Sequence, residues 1–262
     1  MMGQDNIRYP AVAGRFYPQE PDQLRRSVEH YIQSAETNGI TPVALIAPHA
    51  GYVYSGPIAG TAYATLQHNP AGFRRVVLIG PAHRVPLEGL AAVSVTAFAT
   101  PLGQVPVDQE GQALVLDRPG VQVWDEAHRQ EHGLEVHLPF LQVVLASFSI
   151  VPLVVGNAAP ELVAGVLADL HTPDTLLLVS SDLSHFYAYH QAQKLDAATA
   201  AAIEQGQLLA AEQACGRVAI NGLTLLAKEQ GWQAKTVDLR NSGDTAGSHD
   251  RVVGYGAFVY SN

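Results

Sequence analysis

The stretches Val43-Ala44-Leu45-Ile46-Ala47, Val76-Val77-Leu78-Ile79 and Leu176-Leu177-Leu178-Val179 are apolar without alternation. A strand with one wet face alternates apolar and polar residues. A run this uniform is buried on both faces, as strands are when helices cover both sides of a sheet. The strand-like runs as a whole cover residues 43–47, 75–79, 91–95, 150–155, 175–180, 235–239 and 252–259. Segments with the spacing of a single apolar helical face lie among them, at 134–146, 161–170, 192–204, 208–214 and 218–229. A further helix is expected at 56–67, with Ser55 as its N-cap. This order predicts an α/β fold with a largely parallel or mixed central sheet flanked by helices. A length of 262 residues suits one such unit, and no repeat, low-complexity tract or linker divides it. One domain over 1–262 is therefore expected.

Charge and composition exclude several classes. The chain carries 24 acidic and 15 basic residues, a net charge of −9. A nucleic-acid partner would call for a basic stripe, so none is expected. No apolar run approaches the ~20 residues that a membrane span needs. Residues 1–6 lack the basic and apolar regions of a secretory leader. The single cysteine, Cys215, rules out an internal disulfide and fits a reducing, cytoplasmic setting.

Ligands of open α/β sheets bind in the crevice beyond the carboxyl ends of the strands. Two histidines stand at such ends. His49 follows the first run in Pro48-His49-Ala50-Gly51-Tyr52, and His83 follows the second in Gly80-Pro81-Ala82-His83. If their strands are neighbours, the two imidazoles can present nitrogens to one ion at ~2.0–2.2 Å. A third loop, Ser181-Asp182-Leu183-Ser184-His185, follows the run at 175–180. His185 is placed there to act as a general acid and base, with Asp182 orienting it or a neighbour. Asp182 can equally be the N-cap of a short helix.

A fourth loop, Asn241-Ser242-Gly243-Asp244-Thr245, reads either as a turn of small polar residues or as the source of a carboxylate, Asp244, for the metal. The segment holding Glu131, His132, Glu135 and His137 has ligand-like spacing, yet acidic residues also suit a helix start. His132 and Glu135 are assigned to the pocket rim. The N-terminal stretch Ala11-Val12-Ala13-Gly14-Arg15-Phe16-Tyr17-Pro18 reads as an arm packed over the sheet, or as a pocket wall through Phe16 or Tyr17. Cys215 reads as a small buried hydrophobe, since no histidine or lysine stands near it in sequence. There is no glycine-rich phosphate loop, no Gly-x-Ser-x-Gly elbow and no CxxC.

Together these blocks resemble the Memo family. The matching residues are Ala11–Pro18, Pro48 to Gly56, Gly80 to His83, Glu131-His132 with Glu135, Leu138-Pro139-Phe140-Leu141, Ser180 to His185 and Asn241 to Thr245. The resemblance implies an α/β fold similar to the class III extradiol ring-cleaving dioxygenases, which use non-haem Fe(II). It implies Fe(II), or another divalent metal, on His49 and His83, with His185 as the acid/base. Eukaryotic members take a cysteine as third ligand from the segment equivalent to 241–245. This chain has none there, and Asp244 is the nearest substitute, with Thr245 close to the same register. Phe16, Tyr54, His132 and Glu135 are then expected to contact a substrate. The implied functions are a metal-dependent redox enzyme of unknown substrate, or a pocket protein that binds a peptide or small anionic ligand. Microbial relatives also imply a radical-SAM-associated protein partner.

Overall fold

A computed structural model describes residues 6–36, 39–68 and 72–262. Residues 1–5, which carry most of the leader expectation, lie outside them. The strands are β1 (Ile7–Arg8), β2 (Ala44–Ala47), β3 (Arg75–Pro81), β4 (Leu90–Ala92), β5 (Ala97–Thr100), β6 (Gly103–Pro106), β7 (Val121–Val123), β8 (Ser149–Val155), β9 (Thr175–Ser180), β10 (His185–Tyr187), β11 (Gln233–Asn241) and β12 (Val252–Ser261). The helices are α1 (Pro21–Gln33), α2 (Tyr52–Ala64), α3 (Gln109–Leu116), α4 (Asp125–Arg129), α5 (Leu138–Val144), α6 (Pro160–Leu170), α7 (Tyr189–Glu204) and α8 (Arg217–Gln230).

The main sheet runs in the order β10-β12-β2-β9-β3-β8-β4-β7, and β11 pairs with β12. Its centre, β2-β9-β3-β8, is parallel, while β12 on β2 and β4 on β8 are antiparallel. The sheet is thus mixed, with helices on both faces. Along the central strands the side chains alternate between two apolar layers. Leu45, Val76 and Leu78 join α1, α2 and α5 through Leu24, Val28, Ile58 and Phe140. Ile46, Val77 and Ile79 join α6 and α8 through Val163, Leu167, Leu223 and Leu226. Period-2 geometry thus sends successive residues to opposite faces, and both faces are dry. That is why the runs carry no polar alternation.

Some boundaries move for local reasons. Helix α2 begins at Tyr52, three residues before Ser55, because the Ser55 hydroxyl donates to the Ala50 carbonyl instead of capping amides. Close packing of α1 on α2 needs Gly60, where a Cβ would stand 2.5 Å from the Tyr31 carbonyl oxygen. The helix expected at 134–146 is split into a short 3-10 turn at Glu135–His137 and α5. Residues 208–214 form turns, not a helix. There the Leu209 backbone is satisfied by a side chain: its N–H donates to Asn221 Oδ1 at 2.7 Å and its carbonyl accepts from Nδ2 at 3.0 Å. Helix α3 and the β5–β6 hairpin carry no strong periodic signal, whereas α1, not among the expected helices, does carry one, burying Leu24, Val28 and Ile32 on a single face.

Two imidazoles are locked in neutral form inside the core. His128 donates Nε2–H to the Ala91 carbonyl at 2.8 Å, and His137 Nδ1 meets the Tyr63 hydroxyl at 2.7 Å. Burial pushes His128 down to about 4 and His137 down to about 3. In the unfolded chain both titrate near ~6.5. The unfolded state therefore binds more protons below that pH. Stability is complete above it and falls as pH drops toward 4. For His128 alone the loss is about 3 kcal/mol by linkage, at ~1.4 kcal/mol per pH unit. Urea titrations between pH 7 and pH 4.5 should show this decline. A flat profile would mean that these rings are wet.

Candidate metal centre

The ends of three parallel strands build the site. His49 lies two residues past β2 and His83 two residues past β3. These strands are not neighbours; β9 runs between them. Ser180, the last residue of β9, fills that gap. His49 Nδ1 lies 2.6 Å from Ser180 Oγ, and the Ser180 hydroxyl donates to the Gly133 carbonyl. With its proton spent there, Ser180 can only accept from His49, so Nδ1 of His49 is the protonated nitrogen. Its Nε2 is left unprotonated.

The same logic fixes His83. Its Nδ1 lies 2.8 Å from Glu131 Oε1, and its backbone N–H donates to Oε2 at 2.8 Å. Glu131 also accepts from the Gly133 amide at 2.8 Å. Burial alone would raise this carboxyl, but the His83 ring and the two amides outweigh it and hold it at about 2. A carboxylate behind an imidazole orients the ring and leaves the opposite nitrogen, Nε2, as the ligand atom. Gly133 packs closely here: a Cβ would stand 3.2 Å from Glu131 Oε1 and 3.5 Å from His49 Nδ1.

The third member is Cys215, just before α8. Its Sγ lies 3.3 Å from His49 Nε2. His49, His83 and Cys215 each offer a ligand atom within 4.8 Å of the others. Burial, then the nearby Asp182 carboxylate, pushes the thiol up to about 12. Burial and the neighbouring His83 and His132 push His49 well down. The site is therefore a neutral thiol and a neutral imidazole that a cation can convert into a thiolate–imidazole pair. A two-histidine, one-cysteine set suits zinc, copper or iron.

Around this group the structure brings together most of the expected residues. His132 stacks on His83 at 4.7 Å between ring centroids and lies 5.4 Å from His49. Phe16 lies 4.8 Å from His132, so the N-terminal arm does reach the rim. Asp182 is buried and accepts the His49 backbone N–H at 2.8 Å. Burial raises its carboxyl above the ordinary carboxylate range. His185 anchors Nδ1 on the Leu183 carbonyl at 2.8 Å and lines a cleft of about 260 Å³ with Cys215. Phe186, next to it, is the one non-glycine described residue with positive φ, at 65°. Such strain is held only where the surroundings enforce it; here Arg251 covers the ring at 5.1 Å and a bulge interrupts the β10–β12 pairing. Tyr54 is exposed in the first turn of α2.

A family model described as Memo-like protein matches residues 8–259. The chain is 34% identical to a MEMO1 family protein of Methanopyrus kandleri, over 97% of this chain and 98% of the relative. It is 33% identical to one of Aquifex aeolicus, over 97% and 99%, and 35% identical to one of Aeropyrum pernix, over 96% and 98%. The chain belongs to the Memo family.

For this Memo-family chain two expected roles need correcting. Asp244 does not join the histidines. One oxygen accepts the Asn241 N–H at 2.8 Å, the other accepts the Tyr189 hydroxyl, and the loop closes as a capping box. Thr245 is tied back as well, donating to the Ser242 carbonyl at 3.2 Å. Glu135 does not line the pocket. It is fully buried and holds the N-terminal arm: it pairs with Arg8 and accepts from Ala11 N–H at 2.7 Å, Val12 N–H at 3.0 Å and the Tyr17 hydroxyl at 2.6 Å. Glu131 has the role at the centre that spacing suggested for Glu135. Cys215, read from sequence as a plain buried hydrophobe, lies at the heart of the site. One signal pointed there: the next residue is glycine. At Gly216 a Cβ would meet the Ser180 carbonyl oxygen at 2.6 Å, so only glycine lets this segment approach the end of β9.

Proposed function

We propose that this protein is a mononuclear transition-metal redox protein, with iron or copper held by His49 Nε2, His83 Nε2 and Cys215 Sγ. The observation that carries the reading is the meeting of His49, His83 and Cys215, each with a ligand atom within 4.8 Å of the others. Support also comes from the tautomers, which leave both Nε2 atoms unprotonated. A metal bound there would supply one-electron chemistry and polarise an oxygen ligand in its remaining positions.

The surrounding residues have separable tasks. Ser180 and Glu131 hold the two ring protons at Nδ1 and so keep both ligand nitrogens unprotonated. Asp182 fixes the backbone of His49. His185, with Nδ1 spent on Leu183, has Nε2 free to take or give a proton in the cleft it shares with Cys215. His132 stacks on His83, and Phe16 packs against His132. The sulfur ligand moves the preference away from the all-oxygen and nitrogen set first expected for Fe(II), toward softer ions.

The test is metal content. Protein loaded anaerobically with Fe(II) or Cu(I) and desalted should hold close to one ion per chain by elemental analysis. His83→Ala protein should hold almost none. Wild-type protein that retains no metal under either regime, or a His83→Ala variant that binds as well, would end this reading.

A further inference from the structure

A second space lies beside the centre. It is a cleft of about 350 Å³ along the loops that follow β3 and β8, closed at one end by the first turn of α8. That volume is at the small end of ligand pockets, which run from ~300 to ~1,000 Å³. Pro81, Val85, Leu87, Val155 and Ala214 supply an apolar part of the wall, and polar groups supply the rest. Cys215 belongs both to this cleft and to the three-residue centre. An occupant of the cleft therefore lies alongside the sulfur.

Arg217 is the single charged residue in the lining. Among the described residues no carboxylate pairs with it. Its position is unfavourable on local grounds. A cation in the first turn of a helix opposes the helix dipole, and α8 has no acidic residue there to offset it. An unpaired guanidinium in the lining of a cleft is a matched receptor for a negative group. One guanidinium balances one charge and offers two parallel N–H donors, the pattern of a carboxylate. A phosphate dianion would leave one of its charges without a partner, because the lining offers a single guanidinium.

We propose that this cleft binds a small apolar monocarboxylate, its carboxylate on Arg217 and its body against Pro81, Val85 and Leu87 beside Cys215. The metal reading gives the substrate class of the centre its meaning, but binding itself needs no metal. The two can thus fail separately.

Metal-free protein titrated calorimetrically with benzoate, benzyl alcohol and phenyl phosphate tests the idea. Benzoate should bind, and benzyl alcohol should bind at least ~10-fold more weakly, the worth of a charge-assisted contact. Arg217→Gln should weaken benzoate by ~10-fold or more and leave benzyl alcohol unchanged. Ala211→Trp, at an exposed lining position, should block both. Failure of benzoate to bind, equal benzoate affinity in Arg217→Gln, or a preference for phenyl phosphate would each overturn the proposal. Benzoate binding in a protein that takes up no metal would sink the metal reading and leave this one standing.

Discussion

Cys215→Ala protein, loaded anaerobically and desalted, should lose its metal almost completely, whereas Asp244→Ala protein should keep it. The sulfur lies 3.3 Å from His49 Nε2, while both oxygens of Asp244 are engaged by Asn241 and Tyr189. Removing a ligand costs more than the roughly 10–100-fold that follows when a hydrogen-bond partner behind a ligand is lost. Glu131→Gln, which alters such a partner of His83, should therefore fall between wild type and Cys215→Ala. Elemental analysis gives the stoichiometry, and a sulfur-to-metal charge-transfer band gives the ligand. Should Asp244→Ala lose the metal and Cys215→Ala retain it, the loop at 241–245 and not Cys215 supplies the third ligand.

Glu135→Ala should destabilise the fold by about 3–5 kcal/mol, the cost of leaving a buried charge unpaired. Arg8 and Glu135 side chains are 6% and 0% exposed, so the orphaned guanidinium cannot reach water. At ~2–4 °C per kcal/mol for a chain of this size, the thermal midpoint should fall by roughly 10 °C. The Arg8→Met/Glu135→Met pair sharpens the test. It removes both charges, yet the Ala11 and Val12 amides and the Tyr17 hydroxyl still lose their acceptor. The double variant should therefore recover only part of the loss. Full recovery would show that the ion pair alone mattered and that the arm is not pinned through its backbone. Because Phe16 sits in that arm and touches His132, a loosened arm should also open the rim of the centre.

What could be read from the chain alone was what depends on neighbours in sequence. Uniform apolar runs required strands buried on both faces, and hence a largely parallel or mixed sheet flanked by helices; the antiparallel pairings of β12 on β2 and of β4 on β8 came only with the structure. Strand ends carrying His49 and His83 marked the edge at which a site would form, because parallel strands deliver their carboxyl ends to one crevice. The resemblance to the Memo family came from whole blocks, and these span the residues that the comparisons match.

Tertiary structure alone decided which carboxylate backs His83 and that the cysteine meets the two histidines. Glu131 and Glu135 stand one helical turn apart in sequence and look interchangeable. A break into a 3-10 turn sends the first to His83 and the second to Arg8. Cys215 is separated from His49 by 166 positions. It arrives only because β9 lies between β2 and β3 and because glycine at 216 lets the start of α8 press onto the end of β9. Ligand sets are a matter of a few ångströms between chain-distant atoms, and periodicity carries no information at that range.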